Sequence, residues 1–322
     1  MKNIKCSIII RCYNEEEHIG RLLEGIRQQT HQAEIILVDS GSTDATVAIA
    51  SRYPVKIISI DKEDFSFGYS LNVGCRAATG EILILASAHV YPVHKDWLEH
   101  LLAPFAEEKT ALVYGKQRGN EVTNFSEHQV FAKWFPDRPN WKQNHPFCNN
   151  ANAAIRRSLW KRFHYDEALT GLEDLAWAKA VINAGYLIAY EPKAEIIHVH
   201  NEEARTLFNR YRREAIALKG IFPDERFGLL DFFGMYLQNI FSDSFHALQR
   251  DVLWGNIRSI MIFRLMQFWG TYRGFAQRGL IPHQLKQKFY YPNELKRRNK
   301  DAVSSHNSRP VIDYSHKRDD EL

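Results

Sequence analysis

Two kinds of hydrophobic pattern alternate along the first third of the chain. Short continuous apolar runs rich in β-branched residues are each followed by a stretch with apolar positions every three or four residues. Ser7 to Ile10 is the first run and reads as a buried parallel strand. Asn14 with Glu17 has capping-box spacing, so a helix is expected to start there. Ile19, Leu22, Leu23 and Ile26 give that helix one apolar face. Ile35 to Val38 is a second strand, running into the polar turn Asp39-Ser-Gly-Ser-Thr-Asp44, with a helix through Val47 and Ile49. Val55 to Ile60 is a third strand, Ser70 to Ala78 a helix stopped by Gly80, and Ile82 to Leu85 a fourth strand. This alternation predicts an α/β fold, Rossmann-like, with a mostly parallel central sheet and ligands at the carboxyl ends of its strands. The polar clusters after Ile10, Val38 and Leu85 all fall at such ends.

From Ala111 the pattern is mixed. Leu112 to Tyr114 is strand-like, and a loop-rich stretch carries His145-Pro-Phe-Cys-Asn-Asn150. Asp174 to Ala184 reads as a helix ended by Gly185, and Tyr186 to Tyr190 and Ile196 to Val199 as two strands. Beyond His200 the chain turns helical, over Ala204 to Leu218, Leu229 to Leu248 and Val252 to Phe275. The expected organisation is an α/β region over 1–203, a helical C-terminal region over 204–300 and a polar, mobile tail over 301–322. The α/β region divides into a nucleotide-binding part over 1–110 and an acceptor part over 111–203.

Composition narrows the classes. With 45% hydrophobic and 25% charged residues in 322, the chain is not disordered throughout. No apolar stretch reaches the roughly 18 residues of a membrane span, and the N-terminal apolar run is too short for a signal peptide. Cys6, Cys12, Cys75 and Cys148 show no C-x-x-C spacing, so neither a zinc site nor a disulfide framework is indicated. A soluble protein of a reducing compartment is expected. The net charge of +4 is too small to imply nucleic acid, and none is expected as a partner. Within 281–300, however, Lys286, Lys288, Lys296, Arg297, Arg298 and Lys300 stand against one acid, Glu294. That stretch is either a solvated basic tail or a contact for an anionic membrane surface.

Five segments together carry a more specific signal: IIIRCYNEEEHI, EIILVDSGSTDATVAIA, SLNVGCRAATGEILIL, NAAIRRSLW and YDEALTGLEDLAWAKAVINAGY. In this order and spacing they resemble glycosyltransferase family 2, inverting enzymes of the GT-A fold, over residues 4 to about 200. The resemblance implies transfer of a sugar from a nucleotide-sugar donor to a hydroxyl of a glycan or lipid-linked glycan, in bacterial surface polysaccharide synthesis (capsule or O-antigen). The setting it implies is the cytoplasm, peripheral to the inner face of the membrane. Arg11, Tyr13, Glu15, Asp39, Ser87 and His89 are then the expected nucleotide-binding residues, although Asp39 also suits plain turn closure and Glu15 a helix start. Asp174 falls at the general-base position, with Glu173 beside it, as an inverting transfer needs one carboxylate to take the acceptor proton. His145, Asn150, Asn152 and Trp177, with Asn149, are the acceptor-side candidates; Trp177 equally suits the core.

One position departs from the family pattern. Where an Asp-x-Asp pair is usual, this chain has Ser87-Ala88-His89. A hard ion such as Mg²⁺ prefers oxygen ligands and should be held poorly. The expectation is that no metal is required. The alternatives are Mn²⁺ or Mg²⁺, with His89 and His198 of the His-Val-His segment as ligands. Without a metal, Arg205, Arg210, Arg212 and Arg213 are candidates to stabilise the leaving diphosphate, or are merely solvated helix charge. The helical part, Phe227 to Phe245 and Ile257 to Phe275, mixes large apolar residues with Arg258, Arg264 and Arg273. It suits packing on the α/β region or an interfacial surface. Two rival functions remain: a non-catalytic relative that binds nucleotide or glycan, and a sugar nucleotidyltransferase. The latter needs a glycine-rich loop after the first strand, which RCYNEEE is not.

Overall fold

The computed structural model describes residues 4–200, 202–279 and 290. The basic stretch over 281–300 and the polar tail over 301–322 lie outside the described residues, Tyr290 excepted.

The first four apolar runs form strands β1 (Cys6–Cys12), β2 (Glu34–Asp39), β3 (Lys56–Ser59) and β4 (Ile82–Ser87). They lie side by side, all parallel, in the order β3-β2-β1-β4. Helices α1 (Ile19–Arg27), α2 (Thr46–Ala50) and α3 (Phe67–Ala77) connect them. β1 is apolar on both faces because both are covered. Ile8 and Ile10 pack with Leu22 and Leu37 on one side, and Ile9 with Val38 and Leu71 on the other. Each such side chain contributes roughly 1.5–3 kcal/mol on burial. The SLNVG segment is explained by packing rather than chemistry. A Cβ on Gly74 would stand 2.4 Å from Ile9 Cγ2, so only glycine lets α3 lie this close to β1. Asn72, fully buried, donates to the Tyr165 carbonyl and accepts from the Trp160 indole and the Tyr165 amide, tying α3 to the second half.

Beyond β4 the sheet becomes mixed. It continues through β5 (Val90–Pro92), β6 (Thr110–Arg118), β7 (Asn140–Gln143), β8 (Asn152–Arg156) and β9 (Leu187–His198), with α4 (Trp97–Leu102), α5 (Phe125–Trp134), α6 (Arg157–Trp160) and α7 (Glu173–Asn183) around it. The path after β4 is β8-β6-β9-β5, with β7 beside β9. β8 runs antiparallel to both β4 and β6, while β6 and β9 are parallel. Two expectations need correction. Asn14 does not cap α1: it sits at φ 53°, its side chain accepts from the Thr43 amide, and the helix starts only at Ile19. Tyr186 to Tyr190 and Ile196 to Val199 are not two strands but the two ends of β9, whose register against β6 shifts between Gly115 and Gln117.

Three helices complete the described chain: α8 (Ala204–Ile221), α9 (Leu229–Gln249) and α10 (Leu253–Phe275). α10 lies tightly on α8, since a Cβ on Gly270 would meet the Phe208 carbonyl at 2.6 Å. A buried, two-point ion pair joins α10 to α9: Arg264 Nε donates to Asp243 Oδ2 at 2.7 Å and its Nη2 to Oδ1 at 2.8 Å. Leu230, Phe233, Leu237, Phe241, Phe245 and Leu248 of α9 stay exposed, Leu230 by 88% and Phe241 by 71%. None of the described helices is long and apolar enough to cross a membrane. The four cysteines are free and buried.

Candidate active site

Parallel registration brings the polar clusters to one edge. Cys12 stands opposite Asp39, and Arg11 lies between Val38 on one side and Ser87 on the other. Arg11, Asp39 and Ser87 are thus at the carboxyl ends of three adjacent strands, beside the point where the strand order β3-β2-β1-β4 turns back on itself. In open α/β sheets that is where ligands bind. Asp39 is nearly buried, and its carboxylate accepts the backbone N–H groups of Gly41, at 3.1 Å, and Ser42. It therefore shapes the small-residue turn whatever else it does. Tyr13 receives a 2.7 Å hydrogen bond from Lys62 Nζ, which also lies 4.6 Å from its ring centroid. Glu15 begins the turn before α1, where its N–H donates to Thr46 Oγ1 and its carboxylate faces His89 Nδ1 at 2.8 Å.

The Gly-Leu-Glu-Asp segment places both acids in the first turn of α7, just after Leu172 at φ 55°. A leucine in the left-handed region is strained, and such strain collects at functional sites. Asp174 is 9% exposed. Its Oδ2 accepts the Asn150 N–H at 3.1 Å and its Oδ1 its neighbour Leu175 N–H at 2.8 Å. Glu173 Oε1 accepts from Asn150 Nδ2 at 3.3 Å and lies 3.6 Å from Arg11 Nη1. Burial first, and then the neighbouring Glu173 charge, push the Asp174 carboxyl up to about 7. Backbone N–H donors and Arg11 oppose the rise without cancelling it. A carboxyl so placed exchanges its proton near neutral pH, as a general base requires. Arg11 reaches this pair rather than standing free at the strand end, and its guanidinium shares the Phe67 ring with Arg213, at 4.8 and 4.6 Å from the centroid.

A third group forms where β5 pairs with β9. His89 stacks on His198, with ring centroids 5.1 Å apart, and His200 lies 4.0 Å from His198 by the same measure. His198 Nδ1 faces Gln117 Oε1 at 2.8 Å, and His200 Nδ1 faces Glu127 Oε1 at 2.7 Å. Burial pushes the His198 imidazole well below its usual range, and the neighbouring His200, His89 and Arg210 push the same way. Burial would raise the Glu127 carboxyl, but Arg210 and His200 overcome it and hold the group down at about 2. His200, Glu127 and Arg210 are the residues that sequence reasoning did not assign to this group. The i, i+2 spacing of His198 and His200 was the available signal, because alternate residues of an extended chain share a face. Glu127, in the first turn of α5, where an acid also suits a plain helix start, gave none.

Several expected site residues are elsewhere employed. Trp177 is 2% exposed with its indole N–H on the Phe163 carbonyl, so it is core and offers no stacking face. Asn152 is fully buried and binds the Trp97 indole, the Lys116 carbonyl and the Ala194 carbonyl, which makes it a sheet tie rather than an acceptor contact. Asn150 holds the two acids of α7 instead of projecting into a cleft. His145 is exposed on the preceding loop, its carbonyl held by Gln143. Among the arginines of α8, Arg210 is committed to Glu127 and Glu202 and Arg212 to Gln277, while Arg205 is exposed. Arg213 alone of these four lies over Phe67 beside Arg11.

A parallel half-sheet with a polar carboxyl edge is continued by a mixed half that carries an acidic helix start. The same architecture recurs in solved structures. One is the mannosyltransferase PcManGT of Pyrobaculum calidifontis in complex with GDP-Man and Mn²⁺, with TM-score 0.56 and 18% identity over 90% of this chain and 88% of that one. Another is TarS 1–349 of Staphylococcus aureus in complex with UDP, with TM-score 0.51 and 16% identity over 96% and 98%. Residues 7–163 match the family described as Glycosyl transferase family 2. The O-antigen chain rhamnosyltransferase WbaN of Salmonella anatum is 31% identical over 218 residues, covering 64% of this chain and 69% of its own. RfbN of Salmonella typhimurium, with the same description, is 29% identical over 222 residues, covering 65% and 70%. The chain belongs to glycosyltransferase family 2.

Proposed function

We propose that the enzyme transfers a sugar, with inversion, from a nucleotide-sugar donor to a hydroxyl of a growing bacterial surface polysaccharide, with Asp174 as the general base. The observation that carries this reading is the buried Asp174 carboxyl in the first turn of α7, poised near neutral pH by burial and Glu173. In this reading the donor's nucleotide lies across the carboxyl edge formed by Arg11, Asp39 and Ser87, and Tyr13 lines its pocket. Asp174 takes the acceptor proton as the hydroxyl oxygen attacks the anomeric carbon and the nucleoside diphosphate leaves from the opposite face. Arg11 holds Glu173, and through it the charge next to the base. The O-antigen relatives favour a lipid-linked glycan as acceptor. The uncovered apolar face of α9 then suits the membrane surface on which such an acceptor is presented.

A divalent ion, if bound, would supply positive charge for the leaving diphosphate. The residues that fit such an ion are His89, His198 and His200, a nitrogen set in place of a carboxylate pair. The test of the proposed function is donor discrimination followed by turnover. Thermal shift across a panel of nucleotide sugars should pick out one donor, because ligand binding to the native state raises stability by mass action. That donor should then be consumed only when a lipid-linked glycan is supplied. Binding without consumption under any acceptor would favour a non-catalytic relative.

A further inference from the structure

A cleft of about 410 Å³ opens where the end of β6, one face of α5 and the residue following α9 come together. Arg11, Asp39, Ser87 and Asp174 do not line it, so it is distinct from the candidate active site. Its volume falls within the range of small-molecule pockets, about 300–1,000 Å³. Phe125, His128, Ala132 and Phe135 reach it at helical spacing, with Phe131 beside them, so the α5 side is largely apolar and aromatic. Ala132 is exposed, and a larger side chain there would enter the cleft. The remaining wall is cationic. Lys116 Nζ stands 2.7 Å from Asp137 and 3.3 Å from Glu195, and Arg118 Nε 3.1 Å from Glu195. Asp137 is almost fully exposed, so its pair contributes little and can be exchanged for another anion. Arg250 lies 5.9 Å from the Phe125 ring centroid and forms no ion pair among the described residues. Burial pushes the His128 imidazole below its usual range, which leaves three positive charges against two negative ones. Gln117, buried, also lines the cleft, and its Nε2 has no partner among the described residues.

We propose that this cleft is a second saccharide site, which takes an anionic sugar residue (one bearing a carboxylate or a phosphate) of the glycan being extended. The phenylalanine rings offer apolar surface to the C–H face of a pyranose. The guanidinium of Arg250 and the cations of β6 meet the anion, for which a guanidinium fork is well shaped. A bare inorganic anion gains nothing from the rings, and a neutral sugar leaves Arg250 without a partner. Selectivity for charge and ring together is the consequence. A hold on the glycan outside the transfer point selects acceptors by a residue other than the one that receives the sugar. That the bound residue belongs to the acceptor rests on the transferase reading. The affinity for an anionic sugar does not, and it is measured without donor.

The experiment titrates the full chain by calorimetry with cellobiouronic acid, digalacturonic acid, glucose 6-phosphate, cellobiose and inorganic phosphate. At least one of the three anionic sugars should bind saturably, one per chain, and at least about tenfold more tightly than cellobiose or inorganic phosphate. Which of the three binds separates a carboxylate from a phosphate as the anion. Arg250→Glu, which reverses the charge, should weaken that binding by at least about tenfold, and Ala132→Trp, which fills the cleft, by as much. Both positions are exposed, so each variant should unfold at the wild-type temperature. Lys133→Glu, on the same helix but outside the cleft, should bind within about twofold of wild type. Absence of saturable binding by all three anionic sugars, equal affinity for cellobiose or inorganic phosphate, or unchanged affinity in both Arg250→Glu and Ala132→Trp would each overturn the proposal. Donor binding, read separately by thermal shift, distinguishes a failure of this site from a failure of the transferase reading.

Discussion

Replacing Asp174 by Asn should stop transfer and yet make the protein more stable at alkaline pH. The folded-state value of this carboxyl is raised from 3.8 to about 7. The native state therefore keeps a proton that the unfolded state has released, so stability falls as pH rises from 4 to 7 and then levels off. A rise of this size amounts to roughly 4 kcal/mol of penalty at alkaline pH. An amide carries no charge and escapes that penalty. It has a cost of its own, because both carboxylate oxygens accept backbone N–H groups, from Asn150 and Leu175, and an amide has only one acceptor oxygen. The lost acceptor costs about 1–3 kcal/mol, leaving a net gain of about 1–3 kcal/mol. Turnover should drop by roughly 10²–10⁴, because the amide cannot take the acceptor proton. Thermal unfolding at pH 5 and 8.5, with donor turnover on the same preparations, checks both. A variant with near wild-type turnover, or with a Tm below wild type at pH 8.5, refutes the reasoning.

Other consequences are equally direct. The wild-type rate should rise with an inflection near neutral pH, and Glu173→Gln should move that inflection to lower pH by removing the charge that helps raise Asp174; an unmoved pH–rate profile contradicts the coupling. Glu127→Gln should flatten the acid limb of stability. The lowered Glu127 value gives stability that is present above about 4.5 and lost as pH falls toward 2, which acid titration followed by circular dichroism will read. Asp243→Ala should cost about 3–5 kcal/mol, because it leaves Arg264 buried without its partner; denaturant unfolding measures it. Phe241→Asp should abolish flotation with anionic liposomes while leaving Tm within a degree or two, and unchanged flotation removes α9 from the membrane reading.

The parallel half of the sheet was legible because its strands are continuous apolar runs buried on both faces, a pattern that Ile8, Ile9 and Ile10 carry without ambiguity. The helix start at Asn14 was misread because asparagine serves equally well as a cap and as a left-handed turn residue, and here it is the latter. β9 looked like two strands because Glu191, Pro192 and Lys193 interrupt its apolar pattern at the register shift against β6. At the candidate site, the placing of Glu173 and Asp174 at a helix start was readable since both lie within one contiguous segment. Asn150 was visible as a polar residue, but its attachment to those acids depends on a contact 24 residues away in sequence. Trp177 and Asn152 show the opposite error: polar and aromatic groups that suit a sugar also suit a buried hydrogen bond, and only burial separates the two. The third histidine was in plain view two residues past His198, while its partner Glu127 lies 73 residues earlier and becomes relevant only once the chain is folded.

The central claim is transfer with inversion by a single buried carboxylate. Its most direct test is the anomeric configuration of the product, read by proton NMR as it forms from the donor that binds and a lipid-linked glycan acceptor. The account predicts an anomer opposite to that of the donor, with one nucleoside diphosphate released per bond made, and both slowed by roughly 10²–10⁴ in the Asp174→Asn variant. A product that retains the donor configuration, or one that forms at the wild-type rate without Asp174, would contradict it.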